Sequence, residues 1–198
     1  MAIIWKYSLN WNANAQVWPN WTATNVTYVA WKSGQAWSFN WTSSNINLWN
    51  VFNFSWTTNF SISALVYYTW NRWYIVSKFA PWISGQWIIQ VRDDNRIRLS
   101  RNIFPNFINS PAVLNINKWN YIVWTYDWTA MRIYHNWILV AWPVNSWSVA
   151  SNTRNVRIWS DDNNWNYHNW LIDEVEIENR ALTPTEIKNK FLYYNWFM

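Results

Sequence analysis

The stretch that most constrains the fold is residues 119–142, where short runs of Val, Ile, Thr and Tyr alternate with two turn signals. Such runs favour β-strands, and tight two-residue connections between them are typical of β-hairpins. The turns are centred on Asp127-Trp128 and Asn136-Trp137. The segment therefore predicts a meander of three antiparallel strands joined by two hairpin turns.

Both turns carry tryptophan where hairpins usually have glycine. Tight two-residue turns need positive φ, which glycine adopts freely and a residue with a Cβ adopts only at a cost. The mismatch recurs along the chain, which has 23 Trp and 2 Gly, whereas average usage would give about 14 Gly. Seven of the tryptophans directly follow asparagine, where glycine commonly marks a turn.

We interpret most of these tryptophans as standing for glycine in the organism's own protein. Some bacterial lineages decode UGA as glycine, and translation with a code that reads UGA as tryptophan would produce this pattern. Trp124 and Trp142 fall in the same class as Trp128 and Trp137. The alternative is a protein truly rich in tryptophan, with aromatic turn tips for contact with sugars or a membrane.

The composition argues against several classes of protein. The formal charge is +5 and the pI about 9.5, but the Lys and Arg residues are scattered, whereas nucleic-acid binding proteins cluster them on one stripe. With 0 Cys the chain has no disulfide framework. It contains no run of about 18 apolar residues that would span a membrane, and residues 1–10 do not have the pattern of a signal peptide. We expect either an intracellular protein or a segment of a longer exported one.

Short strand patterns separated by turn signals follow one another along the chain. Outside the meander they are expected near residues 3–9, 36–48, 59–68, 73–79, 87–92, 97–100, 156–159 and 171–178. Residues 10–27, which are rich in turn residues, and residues 104–112, which carry two prolines, are expected to be loops.

One helix is expected at the C-terminal end. Thr183 and Glu186 form a capping box, with Pro184 at the first helical position. The spacing of the strands predicts an all-β fold, an antiparallel β-sandwich with this one short C-terminal helix. We expect a single domain over residues 1–198.

Four stretches resemble the laminin-G-like, concanavalin A-like lectin and glucanase domains once the suspect tryptophans are replaced by glycine. They are residues 38–48, 60–64, 118–142 and 171–186, of which the last, LIDEVEIENRALTPTE, is the most specific. Leu65 and Glu178 depart from the family pattern, which usually has Trp and Tyr there. The resemblance is strongest over residues 36–191. It implies a jelly-roll sandwich in which Trp119 is a genuine core tryptophan.

The resemblance also implies a function. Domains of this family are non-catalytic modules that bind carbohydrate or protein outside the cell, as parts of larger secreted or cell-surface bacterial proteins. A glycan or an extracellular protein is therefore the expected partner. Because fold does not fix function, two alternatives stay open, a glycoside hydrolase and a structural spacer of an adhesin.

The most polar loop, residues 161–168, is a candidate ligand-binding site. Its densely spaced oxygen atoms suit Ca²⁺ or sugar hydroxyls, and the alternative is an ordinary turn rich in Asn and Asp. The candidate ligand-binding residues in it are Asp161, Asp162, Asn164, Tyr167 and His168.

Asn40 and Asp173 are candidate metal ligands because they lie in the two best family motifs. The resemblance implies Ca²⁺, which is common in the superfamily. For Asp173, a hydrogen bond to a backbone turn is the alternative.

Arginines alternate along the hairpin at residues 92–101. Arg92 and Arg98 are candidate ligand-binding residues that would line a face for anionic glycans. An exposed, charged strand face is the alternative.

Three glutamates recur at every second position of the last strand, Glu174, Glu176 and Glu178. Alternate strand residues share a face, and retaining glucanases with a related sandwich place their acid and nucleophile in this way. Glu174 and Glu178 would be the catalytic pair of the hydrolase alternative. The other interpretation, which we prefer, is a solvated strand face.

Overall fold

The computed structural model describes residues 4–6, 21–31, 34–40, 42–54, 59–69, 72–79, 87–101, 107–145, 152–160 and 171–195. Within these residues the chain forms fifteen strands and one helix. In chain order the strands are β1 (Ile4–Lys6), β2 (Thr22–Thr24), β3 (Thr27–Trp31), β4 (Gly34–Ser38), β5 (Asn45–Asn47), β6 (Phe60–Tyr68), β7 (Trp73–Lys78), β8 (Trp87–Val91), β9 (Arg96–Arg101), β10 (Phe107–Ala112), β11 (Lys118–Tyr126), β12 (Ala130–His135), β13 (Ile138–Asn145), β14 (Arg157–Ile158) and β15 (Leu171–Glu178). The helix α1 spans Pro184–Asn195.

The strands form two antiparallel sheets that pack face to face. The first sheet has the order β13-β12-β11-β6-β15-β4-β3, with β1 paired to β15. The second has the order β10-β9-β8-β7-β14-β5-β2. The predicted all-β jelly-roll sandwich with one short C-terminal helix is confirmed.

The alternation along β6 explains how the sandwich closes. Alternate side chains of a strand point to opposite faces, and in β6 every inward side chain is apolar or aromatic. These residues are Phe60, Ile62, Ala64, Val66 and Tyr68, and all lie in the main core. Burial of a large apolar side chain stabilises a fold by about 1.5–3 kcal/mol. The two inner faces are therefore the main source of cohesion between the sheets.

The meander at residues 119–142 is confirmed as β11, β12 and β13. Trp128 and Trp137 occupy its two turns with φ angles of 61° and 71°, in the left-handed region. Trp119 packs in a smaller core on the outer side of the first sheet, as expected. Trp124 is buried between the two sheets.

Helix α1 begins at the predicted capping box. Thr183 N donates to Glu186 Oε2 at 2.8 Å, and Glu186 N donates to Thr183 Oγ1 at 3.3 Å. Ile187 and Tyr194 are buried against the outer face of the first sheet. Within the described ranges, no helix combines the length and the apolar character that a membrane crossing needs.

Two loop predictions are wrong. Part of the 104–112 segment forms β10, and β2 lies within the 10–27 segment. Pro111 is tolerated in β10 because this strand is the edge of its sheet, and its register shifts between Asn109 and Ala112. At an edge or a bulge, the missing N–H of proline removes no ladder hydrogen bond.

Candidate ligand-binding face

The second sheet carries a line of polar side chains on the face opposite the core. The register places Tyr74 opposite Gln90, and Gln90 opposite Arg98. Arg98 in turn lies opposite Asn109 on β10. Neighbouring strands lie about 4.8 Å apart, so these four side chains, the polar row, extend over about 14 Å. Gln90 within the row is only 6% exposed, so Tyr74, Arg98 and Asn109 are its more accessible members.

Arg98 is the centre of charge in the polar row. Its Cζ lies 4.2 Å from the centre of the Phe107 ring, and its Nε donates to Asn109 Oδ1 at 2.8 Å. Partial burial and the positive charges of Arg92 and Arg72 lower the pKa of Arg98. A guanidinium nevertheless stays protonated at neutral pH. An anion bound at Arg98 would relieve the repulsion among these arginines.

Arg92 follows β8 at the start of a polar turn. Its Nε lies 3.4 Å from Asp94 Oδ2, and its carbonyl oxygen accepts a hydrogen bond from Tyr68 Oη at 2.8 Å. The same Asp94 carboxylate lies 3.5 Å from Arg96 Nε. Asp93 supplies a second carboxylate in the same turn, so two aspartates balance Arg92 and Arg96 and the turn itself is formally neutral.

A second polar line continues across β14 and β5. Arg157 lies opposite Ser77 on one side and opposite Asn47 on the other. Its Nη1 donates to Asn45 Oδ1 at 2.8 Å. Ser77 and Asn45 are 0% and 5% exposed, so this second line consists of buried polar contacts and does not extend the open face.

Asn40 and Asp173, the candidate metal ligands, do not come together. Leu171 pairs with Ser38, and the antiparallel direction places Asp173 and Asn40 on opposite sides of that pair. Asp173 is buried, and its Oδ1 accepts a hydrogen bond from the Glu174 backbone N at 2.8 Å. Burial, together with the charge of Glu174, raises the pKa of Asp173 to about 7 despite that hydrogen bond. The Asp173 carboxyl group is thus enclosed and already accepts a backbone hydrogen bond, which leaves it poorly placed to reach a cation at the surface.

Asn40 has a local role in its own turn. Its Oδ1 accepts hydrogen bonds from the backbone N atoms of Thr42, Ser43 and Ser44 at 3.0, 2.8 and 3.0 Å. Three donors saturate this oxygen, which is then not free to ligate a cation. Asn40 and Asp173 therefore do not fit a Ca²⁺ site.

The other candidate site, the polar segment predicted to be a loop, lies outside the described residues. It comprises Asp161, Asp162, Asn164, Tyr167 and His168. Among the residues that the structure describes, no group of three or more His, Cys, Asp or Glu is placed to hold a metal ion. Calcium stays a prediction that depends on this loop.

The buried ammonium group of Lys78 lies at the end of β7. Lys78 is buried, and its Nζ donates to Asn50 Oδ1, Val51 O and Arg154 O at 2.8, 2.9 and 2.7 Å. Three oxygens around one positive centre resemble the ligands of a hard metal ion. This ammonium ties the loop after β5 to the segment that precedes β14.

The carboxylates of the hydrolase alternative lie beneath α1 on the outer face of the first sheet. Glu174 and Glu178 are 3% and 2% exposed, which contradicts a solvated strand face. Lys190 Nζ lies 3.2 Å from Glu178 Oε1. The predicted alternation holds from Val175 to Glu178, since Val175 and Ile177 lie in the inner core and Glu176 and Glu178 face α1. It is interrupted at Glu174, where the register shifts between Asp173 and Glu176 and φ is 47°. Both carboxylates are buried, and Glu178 is also held in ion pairs, so neither is open to a polysaccharide.

The comparison with family models identifies the domain. The model for the concanavalin A-like lectin/glucanases superfamily matches residues 40–188. The chain belongs to this superfamily. The resemblance predicted over residues 36–191 is thereby confirmed. A comparison with curated proteins gives no significant match.

Several solved structures share the fold of this concanavalin A-like chain. Domain 4 of AbnA, an extracellular arabinanase from Geobacillus stearothermophilus in complex with arabinotriose, is 19% identical with a TM-score of 0.72, covering 95% of this chain and 98% of that chain. The binding domain of Paraclostridial Mosquitocidal Protein 1 is 20% identical with a TM-score of 0.71, covering 89% and 48%. The receptor-binding domain of botulinum neurotoxin D is 13% identical with a TM-score of 0.72, covering 97% and 52%. The chain thus spans about half the length of the two toxin domains, and at these identities the likeness shows the fold.

Three members of the polar row in this concanavalin A-like domain, Tyr74, Gln90 and Asn109, are not among the ligand-binding residues predicted from the sequence. Arg92 and Arg98 are predicted as ligand-binding residues, whereas Gln90 and Asn109 are not. A signal for Gln90 is present, because a hairpin folded about Asp94 pairs Gln90 with Arg98, as observed. Asn109 lies in the segment expected to be a loop, so its pairing cannot be anticipated.

Proposed function

We propose that this chain is a non-catalytic glycan-binding module of a larger bacterial protein that is secreted or displayed on the cell surface. Its ligand is an acidic glycan bound along the outer face of the second sheet. The observation that carries this proposal is the polar row, with Arg98 at its centre and Arg92 beside it. Amide and phenol groups suit sugar hydroxyls, and a guanidinium pairs with carboxylate or sulfate groups through two parallel hydrogen bonds.

The similar solved structures support a binding role. One is an arabinanase domain in complex with arabinotriose, and two are binding domains of toxins. The match over 98% of the arabinanase domain supports a module carried by a larger extracellular protein. The burial of Glu174 and Glu178 beneath α1 argues against the hydrolase alternative.

Arg98→Ala is expected to weaken the binding of an oligogalacturonate by roughly 10- to 100-fold, because a hydrogen bond to a charged group contributes about 1.5–3 kcal/mol. Isothermal titration calorimetry measures this loss. The matched control is Arg96→Ala on the same strand, whose side chain is exposed and shares Asp94. The control is expected to bind within about twofold of the parent, as for a surface ion pair of small energy.

Equal losses in the two variants would contradict a site centred on Arg98. If the parent chain binds neither oligogalacturonate nor sulfated glycans, the acidic-glycan proposal fails. Absence of any binder on a glycan array would then favour the spacer alternative. Release of reducing sugar from a β-glucan would instead favour the hydrolase.

Calcium forms a separate part of the proposal, carried by the loop at residues 161–168. Oxygen ligands from Asp161, Asp162 and Asn164 would hold the ion. Addition of EDTA is therefore expected to lower the melting temperature, and excess Ca²⁺ is expected to restore it, because a ligand of the folded state stabilises it by mass action. An unchanged melting curve would remove calcium from the proposal.

A further inference from the structure

A cavity of about 520 Å³ opens on the outer face of the first sheet, beside the C-terminal end of α1. This volume is typical of small-molecule sites, which lie between about 300 and 1,000 Å³. Aromatic rings form one wall and carboxamides form the rim. The residues that define this aromatic–amide pocket are Tyr67, Trp119, Phe191, Asn117, Asn136 and Asn195.

The wall is built from strands and helix together. The rings of Tyr67 and Trp119 meet edge to face, with their centres 5.8 Å apart at an angle of 69°. Phe191 of α1 packs against the same cluster. Trp31 also lines the pocket, 4.5 Å from Trp119. The wall is defined without Trp31, because most tryptophans of the chain are interpreted as glycine and Trp119 is the one expected to be genuine.

The rim is held in place by its backbone. Asn117 and Asn136 both have left-handed φ angles, 55° and 48°. Asn117 N donates to Tyr68 O at 2.6 Å, and Asn136 N donates to Tyr121 O at 2.8 Å. In return, Tyr121 N donates to Asn136 Oδ1 at 2.9 Å. Groups ordered before a ligand arrives lower the entropic cost of binding.

We infer that the aromatic–amide pocket is a second glycan site, which binds one uncharged sugar ring. A sugar ring has an apolar C–H face that fits an aromatic wall, and hydroxyls at its edge that match carboxamides able to donate and accept. Lys118, which is exposed, is the charged residue among the described residues that line the pocket. The pocket therefore differs in charge from the arginine-rich face of the second sheet. This inference rests on the proposed glycan-binding function and extends it to the opposite sheet.

The test uses two uncharged probes, arabinotriose and methyl β-D-glucopyranoside, followed by NMR of the ¹⁵N-labelled chain. We expect the side-chain amide signals of Asn117 and Asn195 to shift with at least one probe. The double variant Asn117→Gly/Asn195→Ala is expected to lose at least tenfold in affinity. Glycine at position 117 keeps the left-handed backbone, so this variant should remain folded.

The matched control is the double variant Asn25→Gly/Asn189→Ala. Asn25 has a φ of 50°, and both residues are exposed away from the pocket. The control is expected to bind the probe as the parent does. Tyr67→Leu removes one aromatic ring and is expected to weaken binding of the probe by at least tenfold. The side-chain amide signals of Asn25 and Asn189, which lie away from the pocket, should not move in this variant.

The outcomes separate this site from the acidic-glycan face. Arg98→Ala should retain binding of the uncharged probe, and loss of that binding would place the sugar on the second sheet and overturn the inference. Unchanged affinity in Asn117→Gly/Asn195→Ala would also overturn it, as would failure of the parent to bind either probe. None of these results alters the oligogalacturonate measurement, so each of the two sites is confirmed or rejected independently of the other.

Discussion

Lys190→Met is expected to destabilise the protein by about 3–5 kcal/mol, because removal of the ammonium leaves the buried Glu176 carboxylate without its ion-pair partner. Glu178 keeps a second partner, Arg180, whose Nη2 lies 3.0 Å from Glu178 Oε2. Lys190 Nζ forms an ion pair with Glu176 Oε2 and lies 3.2 Å from Glu178 Oε1. The two glutamates are 1% and 2% exposed. Methionine keeps much of the aliphatic stem and removes only the ammonium. Urea denaturation gives the free energy of unfolding, with a lower midpoint expected for the variant.

The control for this prediction is Lys188→Met on the same helix. Lys188 is exposed, and its Nζ lies 4.8 Å from the centre of the Trp137 ring. An exposed cation–π contact contributes about 0.5–1 kcal/mol, so the control should cost much less. Equal losses of stability in the two variants would contradict the prediction that Lys190 neutralises a buried acidic cluster.

The pH dependence of the free energy of unfolding gives a second test of the Lys190→Met variant. Burial lowers the pKa of Lys190, but the charges and hydrogen bonds of Glu176 and Glu178 outweigh it and raise the pKa above its ordinary 10.5. A raised pKa means that the lysine contributes fully at neutral pH and loses its contribution only as pH rises through the raised value. The stability gap between parent and Lys190→Met should therefore narrow as pH rises through that raised value.

The same cluster shows where sequence reasoning succeeds and where it stops. The strand at 171–178 and the capping box at Thr183 are local signals, and both are confirmed. The bulge after Asp173 is not local, because it depends on how β15 pairs with β6. The helix that covers Glu178 is also brought there by tertiary packing. The row of glutamates that was predicted to form a solvated strand face is therefore buried beneath α1.

The ligand-binding face likewise combines local signals, which the sequence shows, with strand pairing, which it does not show. Its arginines are visible in the sequence as an alternating pattern, and strand alternation alone assigns them to one side. The polar row requires the register of four strands, including the edge strand β10, whose Pro111 suggests a loop. Cross-strand neighbours are set by pairing, so a site made of them needs the sheet. Sequence patterns therefore predict the fold well and only part of the site.

The variant Trp49→Gly/Trp128→Gly/Trp137→Gly is expected to be more stable than the parent by about 2–4 kcal/mol. All three tryptophans have left-handed backbones, with φ angles of 61°, 61° and 71°. Such a conformation costs a non-glycine residue about 1–3 kcal/mol, and glycine avoids that cost. The three indoles are well exposed, so their removal forfeits little packing.

The decisive control is alanine at the same three positions. Trp49→Ala/Trp128→Ala/Trp137→Ala removes the same indoles but keeps the Cβ that disfavours positive φ. Glycine should therefore exceed alanine in stability at these sites, the reverse of the order at ordinary positions, where glycine is worse by about 0.5–1 kcal/mol. Thermal melts of the two triple variants give this order directly. Alanine equal to or better than glycine would remove the structural argument for glycine here.

The backbone also separates the tryptophans into classes. Four of the ten described non-glycine residues with positive φ are tryptophans, namely Trp49, Trp128, Trp137 and Trp159. Trp119 and Trp124 lie instead in regular β11 and pack in the two cores, so positive φ does not mark Trp124 as glycine. We propose that UGA codons specify the four left-handed positions and that UGG specifies Trp119. The coding sequence tests this, because UGG at Trp128 and Trp137 would make the meander turns truly tryptophan and end the variant-code interpretation.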